Sequence, residues 1–396
     1  SSFTQHLDRE ADFAVSFCRS LHREREDVDR RTNLKRDMNT MPQDVVDEKH
    51  EASVQAEVTD GGGSNIQEIR KILSIDGGGI KGMFAATFLA EMEKNTEEPL
   101  WRHFDLIAGT STGGIIALGL ALGIPAASIC DLYESEGPGI FAQERQGLAG
   151  AIDRSVATLR HHFLGTKYAS DRLHDALEDV FGDRRLSEAN TRLMVPAFHH
   201  LTKKVYIFKT SHADRLTTDY KDTALDVAMS TSAAPTYFRA HLTDQDVGLV
   251  DGGVWANNPT GLAVVEAIGT LGWERKGLRV LNVGCLDETS ELPGKGSALG
   301  MFLGKHLLAF FSEGQAKGSL GIAHVLTGDV GGAAHMAIYR VSHSAPKDAY
   351  DLDNTRRITD LKDRAMVEAR EQMPDMRRIF MSTTCSAFMP CHGATS

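Results

Sequence analysis

The chain has 396 residues, 41% of them hydrophobic and 24% charged, with a formal net charge of −11. That size and composition can bury a substantial core, which excludes disorder or a coiled-coil rod for most of the length, and the acidic balance opposes nucleic acid as main partner, since phosphate recognition needs a clustered basic face. Five scattered cysteines (Cys18, Cys130, Cys285, Cys385, Cys391) form no C-x-x-C pair, which excludes a disulfide framework and points to reduced thiols.

The first twenty residues hold His6, Asp8, Arg9, Glu10 and Asp12 where a secretory signal would place a basic cap and an apolar run, so a cytoplasmic protein is expected. Residues 1–66 read as an N-terminal extension. Leu21 to Lys35 is dominated by Arg, Glu and Asp and predicts a solvated helix, followed by a linker ending in Gly61-Gly62-Gly63-Ser64. Phe13, Ala14, Phe17 and Leu21 recur at helical spacing, which leaves a partner-docking arm as the alternative.

From Lys71 the pattern changes. Ile72–Ile75, His103–Ala108, Arg192–Ala197, Val205–Lys209, Val247–Val250 and Leu278–Val283 are predicted strands bounded by Gly, Pro or Asp. Helical periods lie between them. In Asp171–Phe181, for example, Leu173, Leu177, Val180 and Phe181 fall on one stripe. This alternation predicts an α/β fold with a mostly parallel central sheet covered by helices on both sides, with a core over 67–290. Residues 291–384 are expected to form a helical part packed on that core, and 385–396 a flexible tail. The longest apolar stretches, Leu106–Ile124 and Leu299–Phe311, are broken by Gly-Thr-Ser-Thr-Gly-Gly and by Gly304, Lys305 and His306, short of the roughly 18 uninterrupted residues a membrane span needs. Leu299–Phe311 reads as a buried helix, with a lipid-facing flap as the functional alternative.

Three motifs carry chemistry. The first strand runs into Asp76-Gly77-Gly78-Gly79-Ile80-Lys81-Gly82, whose Gly77, Gly79 and Gly82 satisfy G-x-G-x-x-G. A dinucleotide site is disfavoured, because Asp76 sets a carboxylate at the mouth of the phosphate site and the acid of the next strand, Asp105, sits inside that strand. What remains is a glycine nest whose N–H groups can stabilise an oxyanion. The second strand ends in Gly109-Thr110-Ser111-Thr112-Gly113, a G-x-S-x-G at a strand-to-helix turn that makes Ser111 a candidate nucleophile over a helix N-terminus. For its base, a triad would recruit a late histidine (His306, His324, His335 or His343), whereas a dyad would use Asp251, which opens Asp251-Gly252-Gly253 ahead of Asn257-Asn258-Pro259.

These blocks, with Ser230-Thr231-Ser232-Ala233-Ala234-Pro235-Thr236-Tyr237-Phe238 between them, resemble the ordered signature of patatin-like phospholipases over roughly Lys71 to Leu286. The resemblance implies a three-layer α/β/α fold and a Ser–Asp dyad that cleaves lipid acyl esters without histidine, metal or other cofactor. It makes Ser111 the nucleophile, Asp251 the base, and the amides of Gly77, Gly78 and Gly79 the oxyanion hole. Lys81 stands where many members have Arg, which keeps charge but loses the planar fork. The segment from Tyr350 to Ile358 and the Asp- and Arg-rich helix after it are similar to bacterial patatin-like effectors switched on by cyclic nucleotides in antiphage signalling. The expected partners are membrane phospholipid as substrate, met peripherally, and a cyclic di- or oligonucleotide as activator. A soluble-ester triad esterase and a non-catalytic ligand-binding module are the rival functions. Because a charge of −11 opposes contact with anionic bilayers, docking requires local apolar or basic surface, or a homo-oligomer presenting several such surfaces.

Overall fold

The computed structural model describes residues 68–140, 170–235, 237–285, 287–288, 299–329, 336–345 and 357–393. The extension 1–66, including the predicted helix and linker, lies outside the described residues, as do residues 350–356 and the side chains of 299–310. The architecture belongs to a compact unit made of Ile69–Glu266 and Trp273–Ser396.

Each early apolar run becomes a buried strand that a helix carries back to a parallel neighbour. β1 (Arg70–Ile75) leads to α1 (Gly82–Glu93), β2 (Leu106–Gly109) to α2 (Thr112–Ala121) and α3 (Ala126–Ser135), and α4 (Asp171–Phe181) precedes β3 (Arg192–His199). Crossovers of this kind are what parallel pairing demands. β4 (Lys204–Lys209) returns as a hairpin, then come α5 (Ala224–Ser232), β5 (His241–Leu242), β6 (Gly248–Asp251), α6 (Thr260–Gly269) and β7 (Leu278–Val283). β8 (Asp287–Glu288), α7 (Leu299–Thr327), β9 (Ile338–Val341), β10 (Ser344–Ala345) and α8 (Ile358–Met376) follow.

Eight strands form one sheet in the order β5-β6-β3-β2-β1-β7-β9, with β4 also on β3, while β8 and β10 pair separately. β1, β2, β3, β7 and β9 run parallel. Side chains alternate between two covered faces. Leu73 and Ile75 of β1, Ile107 of β2 and Leu193 and Val195 of β3 join the core beneath α1, α2, α5 and α8. On the opposite face Ser74 bonds Thr260 of α6 at 2.9 Å, beside buried Ala263 and Val264. The sheet is mostly parallel and helix-covered on both faces, as the sequence pattern predicts.

Two features depart from expectation. The sheet does not end near residue 290, because β9 pairs in parallel with β7 from Val280↔Ile338 to Val283↔Val341. The tail is also held down over its described part. Cys385 N donates to Arg102 O (2.6 Å) and Cys391 N to Ser211 O (2.7 Å). Just ahead of the tail, buried Lys71 Nζ donates to Phe380 O (2.9 Å) and to Thr383 Oγ1 (3.3 Å), which satisfies the ammonium.

Candidate active site

The sheet brings two strand ends together. β4 pairs with Met194–His199 of β3, so β2, paired with Arg192–Met194, and β6, paired with Ala197–His199, both lie along β3's other side. β2 runs with β3 and β6 runs against it, so their C-terminal ends, Gly109 and Asp251, point at one another. In the mostly parallel sheet expected from the sequence Asp251 would end a parallel strand; it instead ends an antiparallel one that abuts β2.

Ser111 occupies the junction. Its backbone has φ 57° and ψ −128°, a conformation that L-residues rarely hold and that lifts the side chain off the turn. Small neighbours make the turn feasible: a Cβ on Gly109 would lie 2.1 Å from Gly113 O, and one on Gly113 2.5 Å from Ile75 O and Asp76 O. The strained residue is pinned from behind, where Ser111 N donates to Thr231 Oγ1 (2.9 Å) and that hydroxyl donates to Pro196 O (2.6 Å). α5 thus explains the Ser230–Phe238 block, whose Thr231 holds the serine amide while Ala233 O accepts from Asp251 N at 3.0 Å.

Ser111 Oγ donates to Asp251 Oδ2 at 2.6 Å, and Gly253 N donates to Asp251 Oδ1 at 2.6 Å. Both side chains are buried. Burial raises the Asp251 carboxyl to about 7, against the opposing hydrogen bonds from Ser111 and Gly253. A carboxylate so desolvated is a stronger base than one in water, and it touches the hydroxyl whose proton would have to leave.

The glycine loop lies beside this pair, since a Cβ on Gly77 would come 3.2 Å from Ser111 Cβ. Of its three amides, that of Gly77 is already engaged, donating to Asn257 O at 2.9 Å, which corrects the expectation that all three face an oxyanion. Gly78 N makes a long 3.3 Å contact with Thr112 Oγ1, and Gly79 has φ 58° at the entry to the turn before α1. The other end of the Asn257-Asn258-Pro259 segment is tied to α7 by Gln315, which accepts from Asn258 N (2.8 Å) and donates to Asn258 O (3.1 Å).

Asp76 is a structural hub rather than an obstacle at a phosphate site. Its buried carboxylate accepts from Asn282 Nδ2 (2.7 Å), Arg340 Nη1 (2.9 Å) and, more weakly, Asn258 Nδ2 (3.4 Å). Arg340, which also bonds Asn282 Oδ1, comes from β9, far outside the motif blocks, and no local signal in the sequence marks it.

Of the late histidines, the two that are described have partners of their own. His324 Nδ1 lies 3.1 Å from Asp329 O, and His343 Nε2 contacts Arg364 Nη1 at 2.7 Å. His306 and His335 lie among the side chains outside the described residues. Among the described residues the one grouping with metal-ligand spacing is His174, Asp175 and Glu178, which shares α4 and lies apart from the Ser111–Asp251 pair.

Comparison with known proteins identifies the family. A family model described as patatin-like phospholipase matches residues 73–264. A cGAMP-activated phospholipase of Pseudomonas aeruginosa is 31% identical over 77% of this chain and 89% of its own. Another so named, from Vibrio cholerae, is 33% identical over 60% of this chain and 72% of its own. Patatin-like protein 1 of Oryza sativa is 38% identical over 49% of this chain and 50% of its own. Two signature-bearing strand ends meeting on one sheet, together with a relative matched over most of both lengths, mean that the chain belongs to the patatin-like phospholipase family of lipid acyl hydrolases.

Proposed function

We propose that the protein releases fatty acids from glycerophospholipids through a Ser111–Asp251 dyad, and that a cyclic dinucleotide switches it on as part of bacterial antiphage defence. The observation that carries the dyad is the 2.6 Å bond from Ser111 Oγ to a buried carboxylate. In this mechanism Asp251 Oδ2 takes the hydroxyl proton while Oγ attacks the ester carbonyl. The carbonyl oxygen becomes an oxyanion held by the amides of Gly78 and Gly79. Collapse of the tetrahedral intermediate breaks the C–O bond, and the proton on Asp251 passes to the departing alkoxide, leaving the lysolipid. Water, deprotonated by the same carboxylate, then hydrolyses the acyl-Ser111 ester and frees the fatty acid. The names of the bacterial relatives, each a cGAMP-activated phospholipase, support cyclic-nucleotide control.

The test is fatty-acid release from phospholipid vesicles by wild type, Ser111→Ala and Asp251→Ala, each with and without cyclic dinucleotides. Wild type is expected to release fatty acid when the activator is present, and each variant to lose about 10³-fold or more. No release from wild type under any condition would leave a non-catalytic binding module as the function. Equal release with and without nucleotide would remove the activation step.

A further inference from the structure

The register of the sheet puts two hairpin tips beyond the dyad. Ala197 pairs with Asp251 at the level of the dyad, and β3 and β6 continue past it through Phe198↔Val250 and His199↔Leu249. β5 then pairs with the outer end of β6, Leu242↔Gly248. At about 3.3 Å per residue, Leu242 stands roughly 10 Å beyond Asp251. The two tips adjoin, because His200 N and Nδ1 both contact Gly248 O, at 3.2 and 2.9 Å.

Their chemistry differs from that of the rest of the chain. Leu201 is 73% exposed and Leu242 61%, with Val205 at 37%. Lys203 and Lys204 flank the first tip, while the β5–β6 turn holds Asp244 and Asp246 and is tied to Asp222, whose Oδ1 accepts from Gln245 Nε2 at 2.6 Å. Lys203 is kept at φ 58°, in a turn position that glycine or asparagine fills more easily. Single exposed leucines are ordinary; two on adjoining tips, beside cations and on the edge that carries the candidate nucleophile, form a surface with a chemical complement.

We infer that the β3–β4 and β5–β6 hairpin tips dock this protein on a phospholipid bilayer, with Leu201 and Leu242 entering the boundary between headgroups and acyl chains and Lys203 meeting lipid phosphate. The inference rests on the phospholipase function proposed above and supplies its interfacial surface. It also orients the molecule, with the dyad facing the lipid whose ester it would attack.

The experiment uses the full chain carrying Ser111→Ala, so that binding is read without turnover. Co-sedimentation with vesicles of phosphatidylcholine and phosphatidylglycerol in equal parts is measured with and without a cyclic dinucleotide. Leu201→Glu and Leu242→Glu are each expected to lower partitioning by about tenfold, and the pair by about a hundredfold. Val367→Glu, the same change at a 54% exposed position on α8, is expected to leave it unaltered. Melting temperatures of all variants within a few degrees of the parent exclude misfolding. Unchanged partitioning of the double variant, equal loss in Val367→Glu, or no binding of the parent in either condition would overturn the inference. Fatty-acid release from detergent-dispersed lipid by the unsubstituted protein tests the dyad separately, so the two failures are distinguishable.

Discussion

Ser111 and Asp251 are each held in a state the isolated residue would avoid, one by its backbone at φ 57° and the other by burial. The carboxyl at about 7 has two consequences that can be measured independently. As a base it must be ionised, so fatty-acid release should rise with pH through about 7 and level off above it. A profile flat from pH 5 to 9 would show that this carboxylate is not the titrating base. The same group governs stability with the opposite preference. Its folded value is raised above the unfolded one, so its contribution is fully present below about 4 and is lost as pH climbs through about 7. At pH 8 the ionised carboxylate costs the fold up to about 4 kcal/mol, the ceiling set by the distance between the two values. Asp251→Asn removes that charge and keeps an acceptor for Gly253 N. It should melt higher than wild type at pH 8 while releasing no fatty acid, and the difference in melting temperature should close by pH 5. Stability gained on losing activity is the usual signature of a strained site.

At the scale of elements, what the sequence disclosed is what chain-local physics controls. Ser111 was legible as a candidate because a tight strand-to-helix turn needs small residues around an exposed serine, and Gly109 and Gly113 carry that need in plain sight. Asp251 was legible as a residue but not as a place, since the direction of β6 depends on pairing with β3 and not on any local pattern. Arg340 was not legible at all, because a four-residue strand with one arginine has no motif and gains its role only when β9 pairs with β7. The spent amide of Gly77 likewise follows from the position of Asn257, which is 180 residues distant and fixed by tertiary packing. Arg340 offers the sharpest test of this non-local layer. Replacing it by Gln removes the Arg340 cation from buried Asp76 and should cost about 2–4 kcal/mol in chemical denaturation, toward the lower end because the guanidinium is partly exposed. Since Asp76 opens the glycine loop, the folded variant should also lose kcat on phospholipid more than it changes KM. A variant that is destabilised but has unaltered kcat would make Arg340 a structural support alone.

For the whole molecule the governing number is the net charge of −11. No helix among the described residues is long and apolar enough to cross a membrane, and the docking inferred above is made from the surface. Against an anionic bilayer the excess negative charge acts at the range of the Debye length, about 30 Å at 10 mM salt and about 8 Å at 150 mM. Entry of Leu201 and Leu242 acts only at contact and is nearly independent of salt over that range. The two distances separate the terms. At low salt the molecule is repelled before the hairpin tips arrive; at 150 mM the repulsion reaches no further than the tips themselves. Binding of the Ser111→Ala protein to phosphatidylglycerol-containing vesicles should therefore strengthen as salt rises from 10 to 150 mM, while binding to pure phosphatidylcholine vesicles stays nearly constant. A protein docking mainly through lysine and arginine would do the reverse, losing affinity for anionic vesicles as salt screens each contact. Sedimentation across that salt series, with both lipid compositions, distinguishes an acidic body that docks by apolar tips from one that docks by charge.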